Sequence, residues 1–172
     1  MDSICYPDIT KLREWLDQLK TSYFECDSCS ALHLPHMQNI DGIFDAKLDI
    51  LNNVLVLSAL AELKPTAIVT LVANISQINA SSLTAKVFLE INNENLPKLI
   101  VSQSFSLEAG MTYRQFCHFL QQAEEQISAI VFEIFSNNLL YANQDDFSED
   151  DDSSEEEGSE LSLDDKPSVI LH

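Results

Sequence analysis

The segment that most constrains the fold is an amphipathic helix in the second half of the chain. Thr112 and Gln115 have the spacing of a capping box, in which each side chain binds the other residue's backbone N–H. Met111 and Phe116 occupy the two positions of a hydrophobic staple around the same helix start. Apolar residues then recur every three or four residues as far as Ile134. The sequence therefore predicts a long helix that begins at Thr112 and packs one face against a core.

Strands are predicted in the middle of the chain. From Ile43 to Ile50 apolar and polar residues alternate, which is typical of a half-buried strand. The segment from Val54 to Ala61 is apolar on both faces, as a central strand would be, and Asn52-Asn53 supplies the turn of a hairpin. Residues 83–91 and 98–107 predict a second hairpin.

Two further helices and two short arms complete the predicted elements. Residues 8–20 place apolar side chains on one face, with Asp8 or Thr10 available as the cap. Tyr23–Cys26 and Ala31–Gln38 are predicted as short extended arms. The order of helix, strands, helix, two strands and helix favours an α+β fold over a doubly wound one. We predict an antiparallel sheet of about five strands flanked by three helices.

The middle helix is expected after Pro65, over residues 66–78, and it is apolar on more than one face. A surface helix of a monomer needs only a single apolar stripe. The surplus indicates either a helix sandwiched within the fold or a subunit interface. The candidate interface residues for a homodimer are Ile68, Val69, Leu71, Val72 and Ile75.

Charge divides the chain into two parts. The 28 Asp and Glu residues outnumber the nine Lys and Arg residues, which gives a net charge of −19. Acidic residues crowd into residues 143–172, so we expect a single globular domain over residues 1–142 and a disordered acidic tail over residues 143–172. So large a negative charge repels phosphate backbones and anionic lipid, which argues against direct nucleic-acid and membrane binding.

The sequence indicates a cytoplasmic protein. The N-terminal residues lack a basic region followed by an apolar one, so they do not read as a secretory signal. The longest apolar stretch, Val54 to Leu63, is well short of the roughly 20 residues of a membrane helix. Four cysteines are too few for a disulfide-stapled scaffold of this length. We expect them to be free thiols.

Cys26, Cys29, His33 and His36 form the one metal-like pattern in the sequence. They have the donor types of a structural zinc site, but such sites take their second pair of ligands from a distant segment. An extended arm would also turn His33 and His36 to opposite faces. A redox role is disfavoured because a redox Cys-x-x-Cys opens a helix, whereas this one lies between strands. We therefore expect no bound metal and no cofactor, and these residues remain weak metal candidates.

No catalytic constellation is predicted. Cys117 and His118 are adjacent on a helix and diverge by about 100°, so Cys117 is expected to pack in the core. Two acidic pairs are expected to be solvated surface; they are Asp45 with Asp49 and Glu124 with Glu125. The chain has three glycines, none in a phosphate-binding motif. The sequence thus argues against an enzyme.

Several short segments resemble the enterobacterial branch of the YbjN family. These segments are Phe24-Glu25-Cys26-Asp27, Ala31-Leu32-His33-Leu34-Pro35-His36-Met37-Gln38, Phe44-Asp45-Ala46-Lys47, Ile78-Asn79-Ala80-Ser81-Ser82-Leu83-Thr84, Asn95-Leu96-Pro97-Lys98-Leu99 and Glu124-Glu125-Gln126-Ile127-Ser128. The resemblance runs from about Leu12 to Ile130 and does not include the acidic tail. It implies a small cytoplasmic regulator linked to stress, motility, exopolysaccharide and virulence control. The family supplies no enzymatic residues to carry over.

The resemblance also implies a fold like that of the class I type III secretion chaperones, and with it a homodimer. A regulator that acts through an unidentified protein partner is the function we expect. Two alternatives remain open. One is a secretion-type chaperone that wraps an extended client, and the other is a metal or redox sensor that uses Cys26 and Cys29.

Overall fold

The computed structural model describes residues 3–92 and 95–142, so the predicted acidic tail, 143–172, lies outside the described residues. The helices are α1 (Ile9–Leu19), α2 (Ile68–Ser81) and α3 (Tyr113–Ser136), with 3-10 helices at Pro35–Asn39 and Pro65–Ala67. The strands are β1 (Phe24–Glu25), β2 (Leu32–His33), β3 (Asp45–Leu51), β4 (Val54–Glu62), β5 (Lys86–Glu90) and β6 (Lys98–Ser106). Among the described residues, no helix combines the length and apolarity needed to cross a membrane.

The strands form one sheet in the order β1-β2-β3-β4-β6-β5, and every neighbouring pair is antiparallel. This architecture confirms the predicted α+β class with three helices. The predicted count of about five strands is slightly low, because both short arms join the sheet and the described residues contain six strands. The predicted likeness to the class I type III secretion chaperones stays a prediction.

The predicted arm Ala31–Gln38 is extended over a shorter range than expected. Its paired residues are Leu32 and His33, Leu34 N adds a hydrogen bond to Ala46 O of β3, and the chain then turns into the 3-10 helix that begins at Pro35. Proline has no backbone N–H and a fixed φ, so it cannot continue a strand that is paired on both sides but suits the first turn of a helix. Pro35 therefore ends β2 and sends the chain out of the sheet.

Local signals in the sequence set the starts of α1 and α3 and the turn between β3 and β4. Asp8 caps α1 through Lys11 N, and Thr112 and Gln115 form the predicted capping box of α3. Asn52 and Asn53 both adopt positive φ, as the predicted hairpin turn requires. These are interactions within four or five residues, which explains why the sequence alone located them.

The core lies between one face of the sheet and the helices α1 and α3. Along β4 and β6 alternate residues are buried, and Trp15 of α1 meets Phe116 of α3 with ring centroids 5.0 Å apart. The other sheet face is only partly covered, so Asp45 and Lys47 of β3 are not in the core. A side chain on that second face can therefore reach solvent.

The helix α2 protects the outer edge of β5. The carboxamide of Asn79 accepts a hydrogen bond from Val87 N at 2.7 Å and donates one to Val87 O at 3.0 Å, in the way a neighbouring strand would. Ser82 Oγ also accepts a hydrogen bond from Ala85 N at 3.1 Å. An exposed strand edge is a template for unwanted pairing. The end of α2 thus blocks one edge of the sheet and is held against β5.

Replacing Asn79 with alanine should destabilise the fold by about 1 to 3 kcal/mol, because it leaves the backbone N–H and C=O of Val87 without partners. Urea unfolding followed by circular dichroism measures the change. Asn74→Ala is the matched control, since Asn74 is exposed on the same helix and bonds only within it, to Thr70 O. Equal stability of the two variants would contradict this role for Asn79.

Candidate functional site

A short hairpin holds two cysteines next to a histidine. The strands β1 and β2 pair so that Phe24 faces His33, and the connecting turn carries Cys26 and Cys29. The Phe24 ring stacks on the His33 ring with centroids 4.8 Å apart and planes 14° apart. This stacking fixes the plane of the imidazole on the partly covered face of the sheet.

Pairing of β2 with β3 orients the imidazole further. His33 lies opposite Lys47, so Asp45, two residues earlier, is its diagonal neighbour on the same face. The His33 Nδ1 and Asp45 Oδ1 atoms are 2.8 Å apart, and the two side chains are 11% and 22% exposed. An ionised carboxylate can only accept hydrogen bonds, so Nδ1 carries the proton and Nε2 faces the thiols.

Cys26, Cys29 and His33 together form what we call the thiol–imidazole cluster. Their three donor atoms all lie within 4.8 Å of one another. The two Sγ atoms are 2.9 Å apart, and Cys29 Sγ is 3.2 Å from His33 Nε2. Both thiols reach solvent, because Cys26 is half-buried and Cys29 is exposed. The arrangement offers two sulfur donors and one nitrogen donor converging at the surface.

Hydrogen bonding within the cluster favours a thiolate at Cys26. The thiol of Cys29 and then the hydroxyl of Ser28 stabilise its charged form and lower the pKa of Cys26 to about 6. The same contact with Cys26 raises the pKa of Cys29. Burial alone would lower the pKa of His33, but the hydrogen bond to Asp45 and the charge of Cys26 outweigh it and raise that pKa. The negative charge of the two cysteines therefore resides mainly on Cys26.

The fourth candidate ligand, His36, lies elsewhere. It belongs to the first 3-10 helix, and its Nε2 atom is 2.9 Å from Glu124 Oε1 of α3. An extended arm was expected to turn His33 and His36 to opposite faces, but His36 is not on the strand, and the 3-10 helix carries it away from His33. Zinc-site spacing argued against all four residues, yet a two-residue strand followed by a tight turn brings the other three together.

Two of the carboxylates expected at the solvated surface instead have imidazole partners. Asp45 binds His33 and Glu124 binds His36, whereas Asp49 accepts a hydrogen bond from Ile50 N. Sequence reasoning missed the role of Asp45, although the alternation of β3 places it on the same face as Lys47. Cys117 is half-buried where core packing was expected, and His118 is exposed. Asp45 and Glu124 are therefore each paired with a different histidine.

A second feature is the outward surface of α2. Val69 is 80% exposed and Val72 is 55% exposed, and Ile68 and Ile75 are half-buried. Leu71 is 2% exposed and packs into the core of its own chain, so it leaves the set of candidate interface residues. The helix has no charged side chain along its whole length. Its exposed side chains are Val69 and Val72 together with uncharged polar residues such as Thr70 and Asn74, so this is a partly apolar, uncharged surface on an acidic protein.

A groove of about 660 Å³ runs beside this surface, between α2 and the last turns of α3. The α2 side contributes Thr70 and Asn74, and the α3 side contributes Ile130 and Glu133. The groove is thus lined by both apolar and polar side chains. It extends the α2 surface toward α3 and has the mixed character of a protein contact surface.

Comparisons with known proteins agree on one family. The sequence model of the YbjN family, described as "putative bacterial sensory transduction regulator", matches residues 8–136. "Uncharacterized protein YbjN" of Escherichia coli (strain K12) is 52% identical over 146 residues, which cover 85% of this chain and 92% of that protein. The protein of the same name from Shigella flexneri matches equally well. The solved structure called "Crystal structure of YbjN, a putative transcription regulator from E. coli" has a TM-score of 0.80 and 53% identity over 81% of this chain and 99% of that one.

The position of the His33 proton is open to direct test. Because Asp45 accepts at Nδ1, the neutral ring should carry its proton there, whereas His36, which meets Glu124 through Nε2, should carry it on Nε2. Long-range ¹H–¹⁵N NMR of the rings, recorded at a pH where both are neutral, distinguishes the tautomers. Asp45→Ala should shift His33 toward the Nε2–H form and leave His36 unchanged. An Nε2–H ring at His33 in the unsubstituted protein would contradict the geometry.

Proposed function

Because the chain belongs to the YbjN family, we propose that it is a non-enzymatic regulator that acts through protein–protein contacts and forms a homodimer through α2. The family is described as a sensory transduction regulator, and the solved relative is named as a transcription regulator. The net charge of −19 argues that regulation does not involve direct contact with DNA. Contact with another protein is the route we propose in its place.

One observation supports the proposal most directly, namely that α2 carries no charge and exposes apolar side chains to solvent. Surface helices of monomeric proteins usually present charged residues to water. Over its 14 residues this helix buries only Leu71 and leaves Val69 and Val72 exposed. Exposed apolar surface of this kind marks interaction sites.

Charge favours a second copy of the chain as the occupant of this surface. Two molecules of net charge −19 repel each other, and that repulsion is smallest where the facing surfaces carry no charge. The helix α2 is such a surface, and the adjoining groove can add to the roughly 800 Å² per partner that stable interfaces bury. A homodimer through α2 also leaves the thiol–imidazole cluster free, since β1 and β5 lie at opposite edges of the sheet.

The regulated processes follow from the resemblance alone. We assign the chain to the control of stress responses, motility, exopolysaccharide and virulence, in the cytoplasm. The dimer would present its remaining surfaces, including the partly covered sheet face, to a signalling or biosynthetic protein. Binding of an extended client, as in a secretion-type chaperone, has no specific feature of the described residues in its favour.

The dimer is tested by sedimentation equilibrium of the full chain. The unsubstituted protein should have twice the chain mass at micromolar concentration, and added salt should strengthen association because it screens the net repulsion. Val69→Glu with Val72→Glu places like charges opposite each other across the interface, which costs several kcal/mol. The dissociation constant of the dimer should therefore rise by at least about a hundredfold.

Phe132→Glu is the matched control, because Phe132 is 62% exposed on α3 and does not line the groove. It should leave the mass unchanged. If the unsubstituted protein sediments with the mass of one chain, the proposed homodimer is wrong. A dimer that survives the α2 changes but is lost with Phe132→Glu would place the interface on α3.

A further inference from the structure

We propose that Cys26, Cys29 and His33 form a binding site for a thiophilic divalent metal ion such as Zn²⁺, with one coordination position left open. The ligands would be the two thiolates and the Nε2 atom of His33. This site does not depend on the proposed dimer, because the cluster lies at the β1 edge of the sheet and α2 packs at the β5 edge.

The donor atoms are the right kind at close to the right separation. Zinc takes thiolate sulfur at about 2.3 Å and imidazole nitrogen at about 2.0 to 2.1 Å, so donors around a tetrahedral ion lie about 3.4 to 3.8 Å apart. Here the sulfur atoms are 2.9 Å apart, Cys29 Sγ and His33 Nε2 are 3.2 Å apart, and all three donors lie within 4.8 Å. Shifts of about 1 Å or less would therefore admit the ion.

The imidazole is already oriented as a ligand. A metal-binding histidine usually donates its second ring N–H to a carboxylate, which fixes the tautomer and leaves the other nitrogen free. Asp45 makes this contact at 2.8 Å, and Phe24 stacks on the ring face. Two independent contacts thus hold Nε2 toward the sulfur atoms, and no ion is needed to produce that orientation.

The location indicates an exchangeable ion and not a structural one. Structural zinc sites close the coordination sphere with four protein ligands, whereas three ligands leave a position for water or for a side chain of another protein. Among the described residues the group contains three donors, and His36 lies apart from it, held by Glu124. The site also opens to solvent through Cys29. Such a site could take up or lose its ion as the supply changes, which is what a sensory input requires.

A reversible disulfide is the competing use of the same thiols. The sulfur atoms are close enough to be brought together by oxidation, but a disulfide does not use His33 as a ligand. The two uses are therefore separated by asking whether His33 contributes to metal binding. A cluster used only for redox chemistry would not hold one ion per chain, and replacing His33 would change the reactivity of the thiols without changing metal binding.

Metal titration of the full chain tests the site. The protein is reduced, freed of metal with a chelator and titrated with Co²⁺, whose thiolate charge-transfer and visible ligand-field bands report sulfur ligands and tetrahedral geometry. Competition between Zn²⁺ and a chromophoric chelator then gives the affinity. We expect one ion per chain, with cobalt bands of a tetrahedral site that has two thiolates and one imidazole.

Substitutions assign the ligands. Cys26→Ser, Cys29→Ser and His33→Gln should each weaken zinc binding by at least tenfold, whereas Cys117→Ser and His36→Gln should leave it unchanged. Asp45→Ala should weaken binding by about 10- to 100-fold, as expected when the partner of a ligating histidine is removed. Circular dichroism checks each fold, and Cys29→Ser alters an exposed side chain and so remains informative if His33→Gln unfolds.

Failure to bind one ion per reduced chain would overturn the proposal. So would binding that persists undiminished in folded His33→Gln, because two cysteines alone can hold zinc adventitiously. The same titration on Val69→Glu with Val72→Glu separates the metal site from the proposed dimer. If this variant is monomeric and still binds zinc undiminished, the metal site stands independently of the dimer. If the unsubstituted chain is a dimer but binds no metal, the dimer stands and the metal site is wrong.

Discussion

The register of β2 between β1 and β3 is the constraint on which the candidate site depends. Leu32 pairs with Leu48 and is buried, so its neighbour His33 must point to the opposite face, where it meets Asp45 and the turn cysteines. A slip of one residue would reverse both faces, exposing Leu32 and burying an imidazole in the core. The cost of exposing Leu32 therefore also fixes the position of His33. Burial of one side chain thus positions a chemically reactive group on the other side of the sheet.

The two edges of the sheet have different chemistry. At one edge, β1 and β2 hold thiols and an imidazole at the surface, and at the other, α2 covers β5 and presents an uncharged, partly apolar surface. A regulator of the proposed type needs an input and an output that do not obstruct each other. The sheet separates the two by the width of six strands.

Local interactions could be predicted from the sequence, and distant ones could not. The capping box at Thr112 and the turn at Asn52 and Asn53 are determined by residues a few positions apart, so their patterns were sufficient. The contact between His33 and Asp45 depends on the register of two strands, and the first of them is only two residues long. The apolar surplus of α2 was visible, but its placement at the β5 edge depends on the Asn79 contact with Val87. Neither contact has a sequence signature of its own.

The central claim is that this register gathers a metal-binding cluster at one edge of the sheet, apart from the association surface at the other. The most direct measurement is a two-dimensional amide NMR spectrum of the full, reduced chain during Zn²⁺ titration. We predict saturating shifts in residues 24–33 and at Asp45, with α2 amides unchanged. Shifts centred on α2, or a spectrum that zinc leaves unaltered, would contradict it.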